Sequence, residues 1–387
     1  MKLLFVLTSL GAGGAEKCVA TIAAHRAAMG DDVVVLSFVA RPEGSYFAFP
    51  ETVRLEAMSG SGALGARGPL RAVRRLAWLR ARIRAHRPDL VAAFLTKNVV
   101  LALIATLGLG APVLAAERNN PEVQRGMGPW WRAFRILGRR ANTIVMLTKR
   151  ALGHLPASLQ RKAIVIPNPC ALPSGADARP GDRGRLVAVG RLDWQKGFDL
   201  LIDAFAQISA RHPSSTLTLF GEGPERAALE RRVRAHGLDG RVFLPGVTER
   251  PISWIESADV FVMSSRHEGF SNALLEAVCA GLPCVSFDCD FGPDEVLDHG
   301  AAGMLAPNGD VEGLAAALDA VLGDAALRSR LSAAARAHSA SFALEGFKAR
   351  WDAALQGAAS PRPPGSGSVE HAAEDASMSG SAPLKPS

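Results

Sequence analysis

Twice along this chain, a short apolar run ends in glycine and opens onto a helical stretch. The first run is residues 2–9, followed by Gly11, Gly13, Gly14 and an amphipathic segment at 15–29. The second is Arg185–Val189, followed by Gly190-Arg191 and a helical segment at 198–211. Strand patterns at 32–38, 90–94, 113–116 and 143–147 continue the first series, and those at 216–220, 242–244, 260–263 and 283–286 continue the second. Strands that alternate with helices predict parallel sheets with crossover connections. A chain of 387 residues is long for one core and comfortable for two. The expected fold class is therefore α/β, with two Rossmann-like domains. The first spans 1–169. Residues 170–184, rich in Pro, Gly and polar side chains, read as a linker. The second domain spans 185–341, and a last helix spans 342–357. From 358 to 387 the chain turns Ser/Pro/Gly/Ala-rich and loses its apolar period, which predicts a disordered tail.

Bulk properties narrow the class. No apolar run reaches the ~18 residues needed to cross a bilayer. Residues 1–10 carry one lysine and a short apolar part directly followed by a glycine loop, so they read as a buried strand rather than a signal peptide. The five cysteines form no Cys-x2-Cys pair, which leaves zinc unsupported, and the odd count argues against a complete disulfide framework. Reduced thiols in a cytoplasmic protein are expected. Residues 1–170 hold 24 Lys and Arg against 9 Asp and Glu, while the rest is net acidic. The first half is expected to face something anionic.

The chemistry-bearing segment is Ser265-Arg-His-Glu-Gly-Phe-Ser-Asn-Ala-Leu-Leu-Glu276. A strand, a short loop and a helix N-terminus make an anion cradle from Gly269, Phe270, Ser271 and Asn272, with Ser271 as a candidate N-cap. The acids Glu268 and Glu276 would hold hydroxyls, since phosphates repel them. A diphosphate flanked by hydroxyl-rich rings, a nucleotide sugar, matches. Gly13 and Gly14 let backbone approach a ligand at a helix start; a tight turn without ligand is the alternative. Glu16 stands where a dinucleotide fingerprint needs its third glycine, which damages an oxidoreductase reading. Arg191, after Gly190, and Lys196 are two cations at the carboxyl end of a parallel strand, where ligands bind in such sheets. The turn holding Gly221 and Gly223 lies at the same edge. Asp288-Cys289-Asp290 has the spacing of a metal-binding Asp-x-Asp pair.

The ordered set of these motifs, over nearly all of residues 1–345, resembles the retaining glycosyltransferases of family 4 and their Glu-x7-Glu signature. The resemblance implies the GT-B architecture, in which the two domains face an interdomain cleft and the last helix commonly crosses back onto the first. It implies that Glu268 meets the donor sugar, Glu276 the ribose, and Arg191 and Lys196 the diphosphate. Those three, Arg191, Lys196 and Glu268, are the expected catalytic residues. The segment at 288–290 then resembles one lining the donor site without metal, so no metal or other cofactor is expected. Many family members carry a histidine where this chain reads Glu117-Arg118-Asn119-Asn120-Pro121. That departure resembles a polysaccharide and lipid-linked glycan subgroup. Glu117, Arg118, Asn119 and Asn98 become acceptor-side candidates, with contact to the donor phosphate or a solvated loop as the alternatives.

Residues 70–87 hold seven arginines and no acid. Leu70, Val73, Leu76, Ala77 and Ile83 share one helical side, and with Trp78 they suit an anionic bilayer. Trp130, Trp131, Arg132, Arg135, Arg139 and Arg140 form a second such group. The alternative is an ordinary helix against the sheet. No recognised nucleic-acid module is present. The expected activity is transfer of a hexose or N-acetylhexosamine from a UDP-sugar to a lipid-linked glycan or polysaccharide, with a soluble acceptor as the rival. The expected location is cytoplasmic, peripheral on the inner membrane face.

Overall fold

The computed structural model describes residues 1–360 apart from 12, 41–43, 59–68, 119, 121–127, 171, 173–180, 182–183, 249 and 251. Two all-parallel sheets account for the strands. The first contains β1 (Lys2–Leu7), β2 (Asp32–Ser37), β3 (Arg54–Ala57), β4 (Leu90–Phe94), β5 (Val113–Ala116), β6 (Thr143–Met146) and β7 (Ala163–Val165), in the order β3-β2-β1-β4-β5-β6-β7. The second contains β8 (Arg185–Val189), β9 (Thr216–Phe220), β10 (Val242–Gly246), β11 (Val260–Met263), β12 (Cys284–Asp288) and β13 (Met304–Pro307), in the order β10-β9-β8-β11-β12-β13. The edge strands β3, β7 and β13 went unanticipated. Their sequences, Arg-Leu-Glu-Ala, Ala-Ile-Val and Met-Leu-Ala-Pro, are too short to carry a period, and they are strands because a neighbour pairs with them.

Successive side chains of a strand point to opposite faces, and both faces of each sheet are covered. Leu3, Phe5 and Leu7 pack with Val19 and Ile22 of α1 (Gly14–Ala28). Leu4 and Val6 pack with Leu79 and Ile83 of α2 (Pro69–His86), with α3 (Thr96–Ala105), and with Trp131 and Phe134 of α4 (Pro129–Leu137). In the second domain, Leu186 and Ala188 meet α7 (Phe198–Ser209) and α11 (Val311–Gly323), while Val187 meets α9 (Asn272–Cys279). The remaining helices are α5 (Lys149–Gly153), α6 (Ala157–Gln160), α8 (Arg226–Ala235), α10 (Pro293–Val296), α12 (Ala325–Ser339) and α13 (Leu344–Ala359).

The helix α2 departs from its sequence reading. Leu79 and Ile83 are buried, whereas Leu70 and Val73 are 54% and 60% exposed and Ala77 is also exposed. The buried side is set by Leu76, Leu79 and Ile83, not by the first turns of the helix. Trp78 is half-buried and packed edge-on against Phe38, with centroids 5.8 Å apart. Arg80 donates to the carbonyls of Ala105 and Leu107 at 2.6 and 2.7 Å, closing the end of α3.

α13 leaves the second domain and lies on the first. Trp351 is fully buried and stacked on Phe94, with centroids 5.6 Å apart. Asp352 accepts from Arg26 at 2.8 Å and contacts His25 at 2.9 Å. The helix runs to Ala359, past the expected start of the tail at 358, because Ala358 is fully buried in the first domain's core. Residues 361–387 lie outside the described residues, as does most of the expected linker. Of the linker, Gly181 donates its amide to Asp259 Oδ1 at 2.9 Å, and Cys170 bridges to Ala343.

Candidate active site between the two domains

The carboxyl ends of the strands carry almost every residue singled out above, as expected for open parallel sheets. At the end of β8, Gly190 makes room for a side chain. A Cβ there would stand 3.0 Å from Lys196 Cδ and Cε. Lys196 therefore lies across the glycine, and its Nζ donates to Glu268 Oε1 at 2.6 Å. Ser265 Oγ donates to the same oxygen at 2.7 Å, and Glu268 is 5% exposed. Short bonds to an ionised acceptor are the strong kind. The two loops are also tied by backbone: Arg266 N donates to Gln195 O at 2.8 Å, and Ser264 Oγ to Lys196 O at 2.9 Å. The turn after β9 shapes this region. Gly221 has φ +145°, and a Cβ on it would fall 1.8 Å from Gly190 O. Gly223 abuts Leu192 O in the same way.

Arg191 behaves differently from Lys196. Its side chain is 71% exposed, and its Nε donates to Asp193 Oδ2 at 2.6 Å. It sits on the same sheet edge but turns to its own loop instead of joining Lys196 and Glu268.

The loop after β11 ends at Ser271, whose Oγ accepts from Leu274 N and caps α9. Asn272 and Glu276 lie four residues apart and so share one face of the helix. That face meets the first domain. Glu276 Oε1 is 3.7 Å from Lys17 Nζ of α1. Burial pushes the Glu276 carboxyl above its ordinary value, and the Lys17 ammonium draws it part of the way back. Asn272 Oδ1 accepts from Asn168 Nδ2 at 2.7 Å. Gly14, Lys17, Asn168, Asn272 and Glu276 line one small interdomain pocket. Beside it, Glu16 folds back over Gly13 and accepts from Ser9 Oγ at 3.2 Å.

The acceptor-side candidates are mostly internal. Asn98 is 1% exposed, and its amide donates to Phe94 O at 2.8 Å and Thr8 Oγ1 at 3.0 Å. It ties the ends of β1 and β4 and has no surface to offer an acceptor. Glu117 is 1% exposed and accepts from Thr96 Oγ1 at 2.9 Å. Arg118 is buried and directed at Asn168. Asn119 lies outside the described residues. A solvated loop is thus the wrong description of Glu117 and Arg118.

The carboxylates of Asp288 and Asp290 both face Arg150 of the first domain, at 3.2 and 3.3 Å. Glu295 accepts from the amides of Lys149 and Arg150, each at 2.9 Å, and Phe291 is fully buried among first-domain core residues. The aspartate pair therefore joins the domains. Among the described residues, no group of three or more His, Cys, Asp or Glu is placed to hold a metal ion. The sequence reading missed Lys17, Asn168, Ser265, Arg150 and Glu295. Lys17 follows directly on Gly-Gly-Ala-Glu and Asn168 precedes Pro169, but neither position alone discloses a partner in the other domain.

Two Rossmann-like domains whose strand ends converge on a shared cleft define the GT-B class. The chain belongs to the glycosyltransferases. The description "Glycosyltransferase Family 4" matches residues 12–172, and "Glycosyl transferases group 1" matches residues 183–324, one on each domain. An exopolysaccharide phosphotransferase of Streptomyces coelicolor is 30% identical over 262 residues, 66% of this chain and 27% of that protein. A lipopolysaccharide core biosynthesis glycosyltransferase, LpsE, of Rhizobium meliloti is 36% identical over 153 residues, 40% of this chain and 44% of that protein. The chain thus spans less than half the length of these two relatives. HepE of Anabaena, solved in complex with UDP, shares the fold with a TM-score of 0.75 at 22% identity, covering 92% of this chain and all of that one.

Proposed function

We propose that this protein is a retaining glycosyltransferase that moves a hexose or N-acetylhexosamine from a UDP-sugar to a lipid-linked glycan or polysaccharide. The observation that carries the reading is the buried Lys196–Glu268 pair beside the capped N-terminus of α9, at the edge that faces the first domain. A helix N-terminus and a nearby ammonium favour a diphosphate. Glu268 and Glu276 are placed as acceptors for sugar and ribose hydroxyls. In the reaction, the bond between the anomeric carbon and the phosphate oxygen breaks, and a bond to the acceptor oxygen forms on the same face. The acceptor's proton passes to the departing phosphate. Lys196 stabilises the negative charge that grows on the leaving group, joined by Arg191 once its guanidinium turns from Asp193 to the donor, while the protein orients both partners. No metal is needed for this, so turnover is expected to survive a chelator.

The acceptor reading is supported by the surface of the first domain and by relatives named for lipopolysaccharide core and exopolysaccharide work. Leu70 and Val73 stand exposed beside Arg71 and Arg74 on α2. On α4, Ile136 is 71% exposed beside Arg132 and Arg135. α2 and α4 flank α3 on one face of the sheet. Apolar tips among cations suit an anionic lipid surface. No helix among the described residues is long and apolar enough to cross a membrane.

The test is incubation with a panel of nucleotide sugars, reading released nucleotide. Release from one UDP-sugar by the wild type, and its loss in Glu268→Ala, is expected. No release from any donor, with or without lipid-linked acceptor, overturns the reading. Flotation with anionic vesicles, lost at high salt or in Arg71→Glu/Arg74→Glu, separates a membrane acceptor from a soluble one.

A further inference from the structure

A polar chain runs from the first domain into the second and ends on α9. It begins at Arg118, 7% exposed, whose guanidinium can only donate. One terminal nitrogen donates to Asn168 Oδ1, and the other lies 3.5 Å from Ile166 O. With its oxygen so used, Asn168 must present its NH2 in the other direction, where it donates to Asn272 Oδ1 at 2.7 Å. That bond settles the second amide. Asn272 turns its oxygen to Asn168 and its NH2 toward the pocket lined by Gly14, Lys17 and Glu276. A Cβ on Gly14 would stand 3.0 Å from that nitrogen, so glycine there lets α1 come near without pressing on the amide. One donor-only side chain in the first domain thus decides whether the first residue of α9 shows a donor or an acceptor to the cleft.

We propose that Arg118 and Asn168 are positioning residues for the nucleotide-sugar site, acting through the polarity of the Asn272 amide. An NH2 at that position donates to phosphate oxygens, whereas an amide oxygen there repels them. The inference rests on the reading of α9 as the nucleotide helix. It also gives Arg118, an acceptor-side or donor-phosphate candidate by sequence, an indirect role on the donor side. Because the Asn168–Asn272 bond spans the two domains, the relay is complete only while they are in contact.

The decisive variant is Asn168→Asp. It keeps the shape and turns the bond with Arg118 into an ion pair, but both of its outer atoms now accept. Asn272 must then direct its NH2 to residue 168 and show its oxygen to the pocket. The expected result is a melting temperature equal to or above the wild type, with the Kd for UDP by calorimetry raised at least tenfold. KM for the nucleotide sugar should rise by a larger factor than kcat falls. Arg118→Lys, which still donates, should keep most of the UDP affinity, and Arg118→Met should lose it. Wild-type UDP affinity in folded Asn168→Asp overturns the relay. Should that variant fail to fold, Asn272→Asp carries the comparison, since it still accepts from Asn168 but shows a second oxygen; wild-type affinity there overturns the proposal equally. Asn272→Ala and Glu276→Ala separate the two claims. If Asn272→Ala binds UDP as the wild type does while Glu276→Ala loses affinity, α9 stays the nucleotide helix and the relay fails; if both bind as the wild type does, α9 is not the nucleotide helix. If Asn272→Ala loses affinity while Asn168→Asp does not, the nucleotide reading stands and the relay fails.

Discussion

Replacing Lys196 by Met should lower stability and turnover through separable causes. The ammonium sits 2.6 Å from Glu268 Oε1, with side-chain exposures of 21% and 7% for the two residues. That burial takes the pair out of the class of exposed ion pairs, worth roughly 0.2–1 kcal/mol. Removing one partner of a buried pair costs about 3–5 kcal/mol, because a charge is left without compensation. Two features reduce the figure here. Ser265 Oγ still donates to the same carboxylate oxygen, and a fifth of the Lys196 side chain already reaches solvent. A value below that range, about 2–3 kcal/mol, is therefore expected for Lys196→Met. Glu268→Gln removes the charge that needs compensation, so the double variant should recover about 2 kcal/mol relative to additivity. Urea denaturation followed by circular dichroism on the two single variants and the double variant measures this coupling. Turnover should not recover with stability: each variant loses about 10²–10³-fold, as expected when one group that stabilises transition-state charge is lost. Additive stabilities within about 0.5 kcal/mol, or a double variant as active as wild type, would refute the argument.

Other perturbations test separate parts of the structure. Gly190→Ala sets a methyl 3.0 Å from the Lys196 stem, which must shift by a few tenths of an ångström against Glu268, so turnover should fall about 10- to 100-fold with a smaller loss of stability than in Lys196→Met. Trp351→Ala empties the contact between α13 and Phe94 and should cost about 3–5 kcal/mol, read as a large drop in melting temperature by calorimetry; an unchanged transition would mean that α13 does not hold the first domain. Asp259 gives a pH signature. Burial pushes its carboxyl up, but the Arg185 guanidinium and the amides of Arg185 and Gly181 outweigh that and hold it below the usual range. The stability it contributes is then complete above the ordinary aspartate value of about 4 and is lost as pH falls through the lowered one. Denaturation curves from pH 5 downward should show this slope in wild type and a shallower one in Asp259→Asn.

Much of the fold was legible because local pattern suffices for it. Arg185–Val189, Leu90–Phe94 and Val260–Met263 are strands with the boundaries their apolar runs predict. The Ser271 cap and the glycine turns also follow from local chemistry. The site was legible in part. Glu268 and Lys196, 72 positions apart, could be named from loops at strand ends, but their contact could not.

What the chain's order of residues determined was which groups stand at the ends of which strands, since strand, turn and cap depend on neighbours a few positions away. Which of those groups meet was decided by packing within each domain and by the packing of one sheet's strand ends against the other's. Packing within the first domain buried Asn98 and turned Arg118 toward Asn168, and packing between the domains set Lys17 against Glu276 and gave Asp288 and Asp290 to Arg150. Each of these pairings joins residues far apart along the chain or faces burial that no local window encodes. The energies of the interdomain pairs exist only once two separately folded cores are pressed together.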